Sequence, residues 1–357
     1  MCTLTIINME MIEVPTCKIE DAYVKNIEWK GHTAVEFSAG GYEAIMVPEV
    51  GANIVKLKNT IKNVNVLREP EENLEFDKFK ERPQIYGLPV LFPPNRIEDG
   101  TFKVGDKIYK FPINEPNRNN YLHGFIKNEA WEITKREVVS NSEVQVDAIF
   151  SFTKQHDFYK YFPHEFKFKL SYNLSSQGLK QTASLTNLSD EKMPVGIGYH
   201  SAFNVPFDDN KNDEDFKVIA SIDKRWEQDK RNLPTGNILD LTDEEKKMLN
   251  KGMSVSGSPI ETHYTLKHMK FCNGDFKGAA IEDKSNKLRV VYEMGDKYKH
   301  LVIWNGTGDE HFVCIEPQSW VINAPNVKMP DDVTGFTTLA PKMTWSEVLR
   351  IYIEDIK

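Results

Sequence analysis

Cysteine is scarce in this sequence of 357 residues, and no apolar run is long enough to cross a bilayer. The few cysteines form no C-x-x-C pair, which excludes a disulfide framework and favours a reduced, intracellular setting. They are Cys2, Cys17, Cys272 and Cys314. The amino terminus lacks a basic stretch, and polar residues at Asn8, Glu10 and Glu13 make it a poor signal peptide. The sequence therefore predicts a cytoplasmic protein that does not span a membrane.

An excess of positive charge is also missing. The formal net charge is −8, and lysine and arginine form no block of the kind that binds phosphate backbones. This argues against nucleic acid as the main partner. The composition, with 40% hydrophobic and 27% charged residues, is that of a globular protein with a substantial core. Since no repeat and no Gly/Ser linker divides the chain, we expect one domain over residues 1–357.

Alternation of apolar and polar residues is the clearest structural signal. In residues 166–174 every second position is apolar, which is typical of a strand with one buried and one solvated face. Further segments show this alternation or short β-branched and aromatic runs between turn residues. They are residues 143–152, 181–188, 288–294, 300–305, 311–317 and 348–354. The sequence predicts an all-β protein, a large antiparallel sandwich whose ligand site can lie on a concave sheet face.

Helix signals are sparse. In residues 242–252, Thr242 and Glu245 fit a capping box and Gly252 fits a carboxyl-terminal cap, so a short helix is expected there. Two charged segments, residues 68–83 and 208–215, are predicted to be solvated loops or short surface helices, and we assign them no function.

Three segments place proton-transferring groups in apolar strand surroundings. They contain Asn95, Arg96 and His123; His200; and Glu316, which follows a predicted strand. Each group has an ordinary structural explanation as well. In that explanation Arg96 only pairs with a surface carboxylate and His123 only caps a turn. His200 is then a hydrogen-bonded core histidine, and Glu316 is the solvent-facing end of a strand. Their joint occurrence favours a functional site.

The same segments resemble the aldose 1-epimerase (mutarotase) family. The resemblance rests on Asn-Arg-Ile at 95–97, Gly-x-Phe at 100–102, Leu-His-Gly at 122–124, His-Ser-x-Phe-Asn at 200–204 and Glu-Pro-Gln at 316–318. These motifs occur in family order. The resemblance implies a galactose mutarotase-like supersandwich and a cofactor-independent isomerase that interconverts the α and β anomers of an aldohexose.

What the resemblance implies for single residues is carried over by position. It makes His200 the general acid, Glu316 the general base and His123 a catalytic donor near the ring oxygen. It makes Arg96 a substrate-binding donor, beside Asn95. Glu261 falls where the family has a sugar-binding aspartate. Further departures, Phe125 for a common glycine and Asn323 for a frequent aspartate, indicate a divergent branch.

These residue types suit the reaction independently of the family. Opening a pyranose means removing the proton from the anomeric hydroxyl and protonating the ring oxygen, and closure reverses both steps. A carboxylate can accept the first proton, and an imidazole with a pKa of about 6.5 can donate the second. No metal or organic cofactor is required. Trp304, Trp320 and Phe125 are candidates for an apolar face against the sugar, although strand aromatics are more often core.

Four alternatives remain open at this point. Two histidines and a glutamate can form a metal site, although the local ligand spacing common in such sites is absent. A sugar-binding module without catalysis is a second reading, and a glycoside-cleaving enzyme, which needs paired carboxylic acids, is a third. A mutarotase of phosphorylated hexoses is the fourth. The expected partner is a small sugar, and a monomer or homodimer is expected.

Overall fold

A computed structural model describes residues 21–207, 215–271 and 274–356. Antiparallel strands dominate this part of the chain, and its α-helices are short: Phe76–Glu81 (α1) and Asp331–Thr334 (α2). Three-ten turns lie at Pro83–Ile85, Asp157–Lys160, Glu245–Leu249 and Ala324–Asn326. The predicted all-β class with few short helices is confirmed. No helix in these described ranges has the length and apolar character needed to cross a membrane.

Some of the sequence predictions fall on other parts of the chain. Cys2, Cys17 and Cys272, the amino-terminal segment and residues 208–214 lie outside the described residues. Cys314 is described, and it is a buried free thiol.

The amino-terminal part forms a five-stranded sheet in which each strand pairs with the next. Its strands are Tyr23–Trp29 (β1), His32–Ala39 (β2), Tyr42–Val47 (β3), Asn53–Asn59 (β4) and Val64–Asn65 (β5). The turn between β2 and β3 contains Gly40, whose φ is +59°. A Cβ atom there would lie 2.0 Å from the backbone nitrogen of Ser176, so only glycine allows this sheet to approach its neighbour.

Five short strands follow and carry several of the predicted site residues. They are Val90–Leu91 (β6), Arg96–Glu98 (β7), Thr101–Val104 (β8), Lys107–Lys110 (β9) and Asn120–Leu122 (β10). β8 pairs with β9, and β7 pairs with β10 so that Arg96 lies opposite Leu122. Asn95 and His123, the next residues along, therefore meet at one end of the β7–β10 pair.

The next four strands form a continuous antiparallel meander. They are Glu132–Ser140 (β11), Glu143–Phe152 (β12), Phe166–Ser175 (β13) and Gly178–Asn187 (β14). Every second side chain of β13 is buried, beginning with Phe166, as the alternation in the sequence predicts.

The remaining strands complete two large sheets. They are Met193–Pro194 (β15), Gly198–Tyr199 (β16), Ser201–Asn204 (β17), Phe216–Ala220 (β18), Ile222–Gln228 (β19), Pro234–Leu239 (β20), Glu261–Leu266 (β21), Met269–Phe271 (β22), Gly274–Phe276 (β23), Gly278–Asp283 (β24), Leu288–Met294 (β25), His300–Trp304 (β26), Phe312–Gln318 (β27), Thr338–Leu339 (β28) and Thr344–Asp355 (β29). One sheet has the order β11-β12-β13-β14-β29-β25-β24-β18. The other, called the site sheet below, has the order β20-β19-β21-β26-β27-β16-β6, with β17 also paired to β27.

The main hydrophobic core draws on both eight-stranded sheets. Phe168 and Leu170 of one sheet and Leu301 and Ile315 of the site sheet belong to a single cluster of buried apolar side chains. Burying one such side chain contributes about 1.5–3 kcal/mol. The expectation of one domain over residues 1–357 stays a prediction.

The predicted helix at residues 242–252 is only a three-ten turn, Glu245–Leu249. Its capping box is present: the backbone nitrogen of Thr242 donates to Oε2 of Glu245 at 2.7 Å, and that of Glu245 to Oγ1 of Thr242 at 3.2 Å. Tyr264 also donates to the Glu245 carboxylate, at 3.1 Å. The local start signal is therefore right, and the helix that it predicts does not extend beyond a short turn.

The charged segment 68–83 contains α1, as the prediction of a short surface helix allows. Phe76 and Phe79 of α1 are buried, and Phe79 packs against Trp29 with ring centroids 5.3 Å apart. These anchors hold the end of the segment in one place on the molecule.

Candidate active site

His200 and Glu316 meet across neighbouring strands of the site sheet. β27 pairs with β16 at Gly198 and with β17 at Ser201, and this register places His200 opposite Glu316. Directly opposed residues of antiparallel strands point to the same face. Nε2 of His200 lies 3.2 Å from Oε1 of Glu316. The fold thus joins two residues that are 116 positions apart in the sequence.

Both members of this pair are removed from solvent. His200 is 5% exposed and Glu316 is 2% exposed. Glu316 lies within β27, whereas the sequence placed it after a strand, and it is not at a solvent-facing strand end. A buried carboxylate beside an imidazole is costly unless other groups satisfy it, which makes the pair a candidate for chemistry.

The end of the β7–β10 pair brings Asn95 and His123 to the same place. The backbone nitrogen of His123 donates to the carbonyl of Asn95 at 2.9 Å, and both residues have a left-handed backbone, with φ of +63° and +55°. The rings of His123 and His200 meet edge to face with centroids 5.0 Å apart. Three predicted residues from two of the predicted segments therefore form one cluster with Glu316.

Several polar atoms of this cluster have no hydrogen-bond partner among the described residues. They are Oδ1 of Asn95, Nδ1 of His123, Nδ1 of His200 and Oε2 of Glu316. Unpaired buried polar atoms are rare because each costs about 1–3 kcal/mol. Several of them in one pocket indicate a site that a polar ligand completes.

Arg96 is fixed by two carboxylates. Its Nε donates to Glu115 at 3.0 Å and its Nη2 at 3.1 Å, and Glu115 is buried. Its Nη1 lies 3.2 Å from Oε1 of Glu261, to which the side-chain amide of Asn232 also donates. Glu115 is buried and Glu261 is exposed, so pairing with a surface carboxylate describes only part of the surroundings of Arg96. Bidentate pairing to a buried partner holds the guanidinium in one orientation at the cluster.

Arg231 ties together the segments that carry these residues. Its guanidinium donates to the backbone carbonyls of Arg118 and Asn119, both at 2.9 Å, and pairs with Glu98 at 3.1 Å. It also pairs with Asp99, at 2.7 Å. The loop that holds Arg231, between β19 and β20, is thereby bound to the end of β7 and to the residues just before β10. Arg231 was not predicted as a site residue, because nothing near it in the sequence signals these hydrogen bonds and ion pairs.

The predicted site residues line one pocket of about 240 Å³. The set comprises Asn95, Arg96, His123, His200, Glu261 and Glu316. The fold therefore brings together all six residues that the sequence analysis named for catalysis and binding.

The three aromatic candidates separate. Trp304 lines the pocket and meets the His200 ring with centroids 5.5 Å apart. Trp320 is 1% exposed and Phe125 is 8% exposed, and both belong to the main core cluster. Trp320 and Phe125 are therefore core residues, the role that strand aromatics have more often, and of the three candidates Trp304 lines the pocket.

Other lining residues were missed. Arg82 and Gln84 reach the pocket from the segment after α1, which we had assigned no function, and Arg118 and Gln228 reach it from loops and strand ends. Arg118 lies four residues before the Leu-His-Gly motif at 122–124, so its position in the sequence was a usable signal. The others had none.

Burial governs protonation in the cluster. It lowers the pKa of His200 to about 3 and raises the pKa of Glu316 well above its usual range. Arg96 opposes the shift at Glu316 because its positive charge favours the carboxylate. Desolvation, followed by repulsion from His200, holds the pKa of His123 well below its ordinary value. Burial thus favours a His200–Glu316 pair with no net charge and one shared proton.

Metal ligation was the first open alternative. In residues 21–207, 215–271 and 274–356, no group of three or more His, Cys, Asp or Glu side chains is arranged to hold a metal ion. The pocket presents hydrogen-bonding groups to a ligand and offers no chelating set among these residues.

The fold is a β-sandwich of the galactose mutarotase type, and the predicted site residues line a small polar pocket in it. The family model for aldose 1-epimerase matches residues 33–352, so the chain belongs to the aldose 1-epimerase family.

Three known proteins show the range of this similarity. The crystal structure of a galactose mutarotase-like protein from Clostridium acetobutylicum is 54% identical, with a TM-score of 0.92 over 94% of this chain and 99% of that chain. Protein LacX of Lactococcus lactis subsp. lactis is 28% identical over 239 residues, 65% of this chain and 73% of LacX. Human galactose mutarotase is 28% identical over 165 residues, 46% of this chain and 45% of its own length.

Proposed function

We propose that this protein is an aldose 1-epimerase that interconverts the α and β anomers of an aldohexose. The observation that carries the proposal is the buried contact between His200 and Glu316 at a pocket into which unpaired polar atoms project. Family membership supports the reaction class.

The two atoms that remain unpaired suit the two proton transfers. Oε2 of Glu316 takes the proton of the anomeric hydroxyl while Nδ1–H of His200 gives a proton to the ring oxygen, and the C1–O5 bond breaks. Before the step His200 is an imidazole protonated at Nδ1, and Glu316 is a carboxylic acid whose Oε1 proton is shared with Nε2 of His200. As Nδ1–H leaves, Nε2 takes the Oε1 proton, so that after the step His200 is protonated at Nε2 and Glu316 at Oε2. Both forms have zero net charge, so the buried site gains no charge as the ring opens. Rotation about C1–C2 and the reverse transfers give the other anomer.

The remaining residues hold the sugar. His123 lies beside His200 and donates toward the ring oxygen, where negative charge develops. Arg96, fixed by Glu115 and Glu261, and Asn95 present polar groups at set positions to the hydroxyls. Glu261 takes the place of the aspartate that binds sugar in the family. The reaction needs no cofactor.

Polarimetry on freshly dissolved α-D-glucose and α-D-galactose tests the proposal. The wild-type protein is expected to speed the approach to rotational equilibrium, and Glu316→Gln to lower kcat by about 10²–10⁴ while sugar affinity, measured by calorimetry, stays within a few-fold. A Glu316→Gln variant as fast as wild type would remove the base assignment. Sugar binding without any acceleration by the wild type would favour the alternative of a carbohydrate-binding protein that lacks catalysis.

A further inference from the structure

The pocket is lined by more positive than negative side chains. Three arginines, Arg82, Arg96 and Arg118, line it together with two carboxylates, Glu261 and Glu316. The whole chain has a net charge of −8, so this is a local reversal of sign. Arg82 and Glu261 are exposed and Arg118 is partly exposed, whereas Arg96, His200 and Glu316 are buried, so two arginines and one carboxylate lie at the mouth. The excess of positive charge therefore lies at the mouth of the pocket.

Acidic residues bind two of the three arginines. Arg96 is bound on both sides by Glu115 and Glu261. Arg118 reaches Glu115 only through Nη1, at 3.0 Å, which leaves its Nη2 and Nε for other acceptors. Arg82 forms no ion pair and no side-chain hydrogen bond within the described part of the chain. Two guanidinium groups at the mouth thus have donors to spare.

The backbone of Arg82 is held in place although its side chain is exposed. Arg82 follows the last residue of α1, and its backbone nitrogen donates to the carbonyl of Phe79 at 3.1 Å. Phe79 is fully buried and anchors α1 against Trp29. The fold therefore sets where the Arg82 side chain starts, and only that side chain has to order when a ligand binds.

Neutral hydroxyl groups do not require this arrangement. A hydroxyl both donates and accepts, so amides and bound arginines such as Arg96 are sufficient to read it. Guanidinium groups with free N–H donors are matched best by an anion, because a planar fork of N–H donors fits the oxygens of a phosphate or carboxylate and adds charge attraction.

We propose that the aldose bound here carries an anionic group, a phosphate, sulfonate or carboxylate, at the end remote from its anomeric carbon, and that Arg82 and Arg118 bind this group. The inference rests on the proposed function, since the anomeric end has to reach His200 and Glu316. It narrows the substrate class from aldohexoses in general to anionic ones.

Exchange NMR at anomeric equilibrium tests the inference, because it measures interconversion for any sugar without a coupling enzyme. The probes are glucose, galactose, glucose 6-phosphate, glucose carrying a 6-sulfonate, and glucuronate. At least one anionic probe is expected to have a kcat/KM about tenfold above that of glucose or more. The anionic probe that gives the largest value identifies which of the three groups the site prefers.

Two variants distinguish a specific contact of Arg82 with the anionic group from a general effect of positive charge. Arg82→Gln is expected to lower kcat/KM for the preferred anionic probe by about tenfold and to leave glucose within about twofold. Lys78→Gln, on the helix α1 that precedes Arg82, is the control. It removes an equal charge from a side chain that pairs with Glu81 and does not line the pocket, so kcat/KM should stay unchanged for the anionic probe and for glucose. Raised salt should weaken the anionic preference of the wild type.

The possible failures are distinguishable. If glucose or galactose is turned over as well as every anionic probe, and Arg82→Gln slows no probe selectively, the anionic class is wrong and the proposed epimerase function stands. If the protein accelerates exchange of no probe at all, the proposed function itself fails.

Discussion

Two histidine contacts, one at the pocket and one within the site sheet, each include a buried histidine and differ in what surrounds them. His123 and His200 meet edge to face with ring centroids 5.0 Å apart, and His263 and His300 do so at 5.5 Å. Burial lowers the pKa of His200 and of His300 to about 3 in each case. By these measures the two contacts are equivalent.

Their neighbours separate them. His200 touches the carboxylate of Glu316 and lines a pocket. His300 instead accepts a hydrogen bond from Nε1 of Trp226 at 3.3 Å, and the pocket does not reach it. A buried histidine with a depressed pKa is therefore not in itself a sign of a site. The carboxylate partner and the space for a ligand make the difference.

Substituting one histidine in each contact should give the largest difference in the rate of anomer exchange. His200→Asn should lower the rate of anomer exchange by about 10²–10⁴, because it removes the proposed acid. His300→Asn should leave the rate within about threefold while lowering the free energy of unfolding, because a buried packing group is lost. Polarimetry and urea unfolding measure the two effects. Equal losses of rate in both variants would contradict the distinction.

Acid should weaken the folded state through both contacts. The unfolded histidines have a pKa of about 6.5, whereas burial holds the pKa of His200 and His300 at about 3 and that of His164 at about 4. Below pH 6.5 the unfolded chain binds protons that the folded chain excludes. The free energy of unfolding should therefore fall as pH drops, by up to about 1.4 kcal/mol per pH unit for each histidine.

Urea unfolding from pH 7.5 down to pH 5 measures this slope. The raised pKa of Glu316 acts in the opposite direction, because its folded form holds a proton that the unfolded chain releases above its ordinary range. His300→Asn should reduce the slope by about one proton. A slope unchanged by that substitution would show that His300 is protonated in the folded state.

Removing the charge of the buried carboxylate that binds Arg96 should affect sugar binding more than the chemical step. Glu115→Gln keeps the shape and removes the charge that binds Arg96 and Arg118. We expect KM to rise about tenfold with a smaller change in kcat, and the free energy of unfolding to fall by about 1.5–3 kcal/mol. A fall in kcat at constant KM would instead place Glu115 in the chemical step.

The smallest effect on activity is expected for a substitution at Thr242, which belongs to neither histidine contact. Thr242→Ala removes one half of the capping box at the three-ten turn Glu245–Leu249. It should cost about 1 kcal/mol of the free energy of unfolding and leave anomer exchange unchanged. Thr242→Ser, which keeps the hydroxyl, is the matched control. A change in kcat in the alanine variant would indicate coupling between this turn and the pocket.

Sequence prediction succeeded where the signal is local. The alternation in β13 follows from the two-residue period of a strand, and it needs no knowledge of distant contacts. The motif residues were found because their near neighbours are distinctive, as with His200 in His-Ser-x-Phe-Asn. The predicted helix near Thr242 shows the limit, since a capping signal marks where a helix starts and does not fix its length.

What the sequence missed depends on long-range placement. Arg231 contacts segments more than 100 positions away, and Arg82 reaches the pocket only because Phe79 anchors α1 elsewhere. Trp304 is the last residue of β26 and Trp320 follows β27 by two residues, yet Trp304 lines the pocket and Trp320 is core. Which face of a strand meets a cavity is set by how the sheets pack, and a single segment does not encode it.

The amino-acid sequence alone determined the all-β class, the positions of seven strands and the identity of six pocket residues, because periodicity and motifs are properties of neighbouring residues. The tertiary structure decided that His200 faces Glu316 at 3.2 Å, that both are buried, and that arginines from separate segments gather at the pocket mouth. These features arise from strand register and packing between remote segments, and they set the charge and protonation on which the proposed chemistry depends.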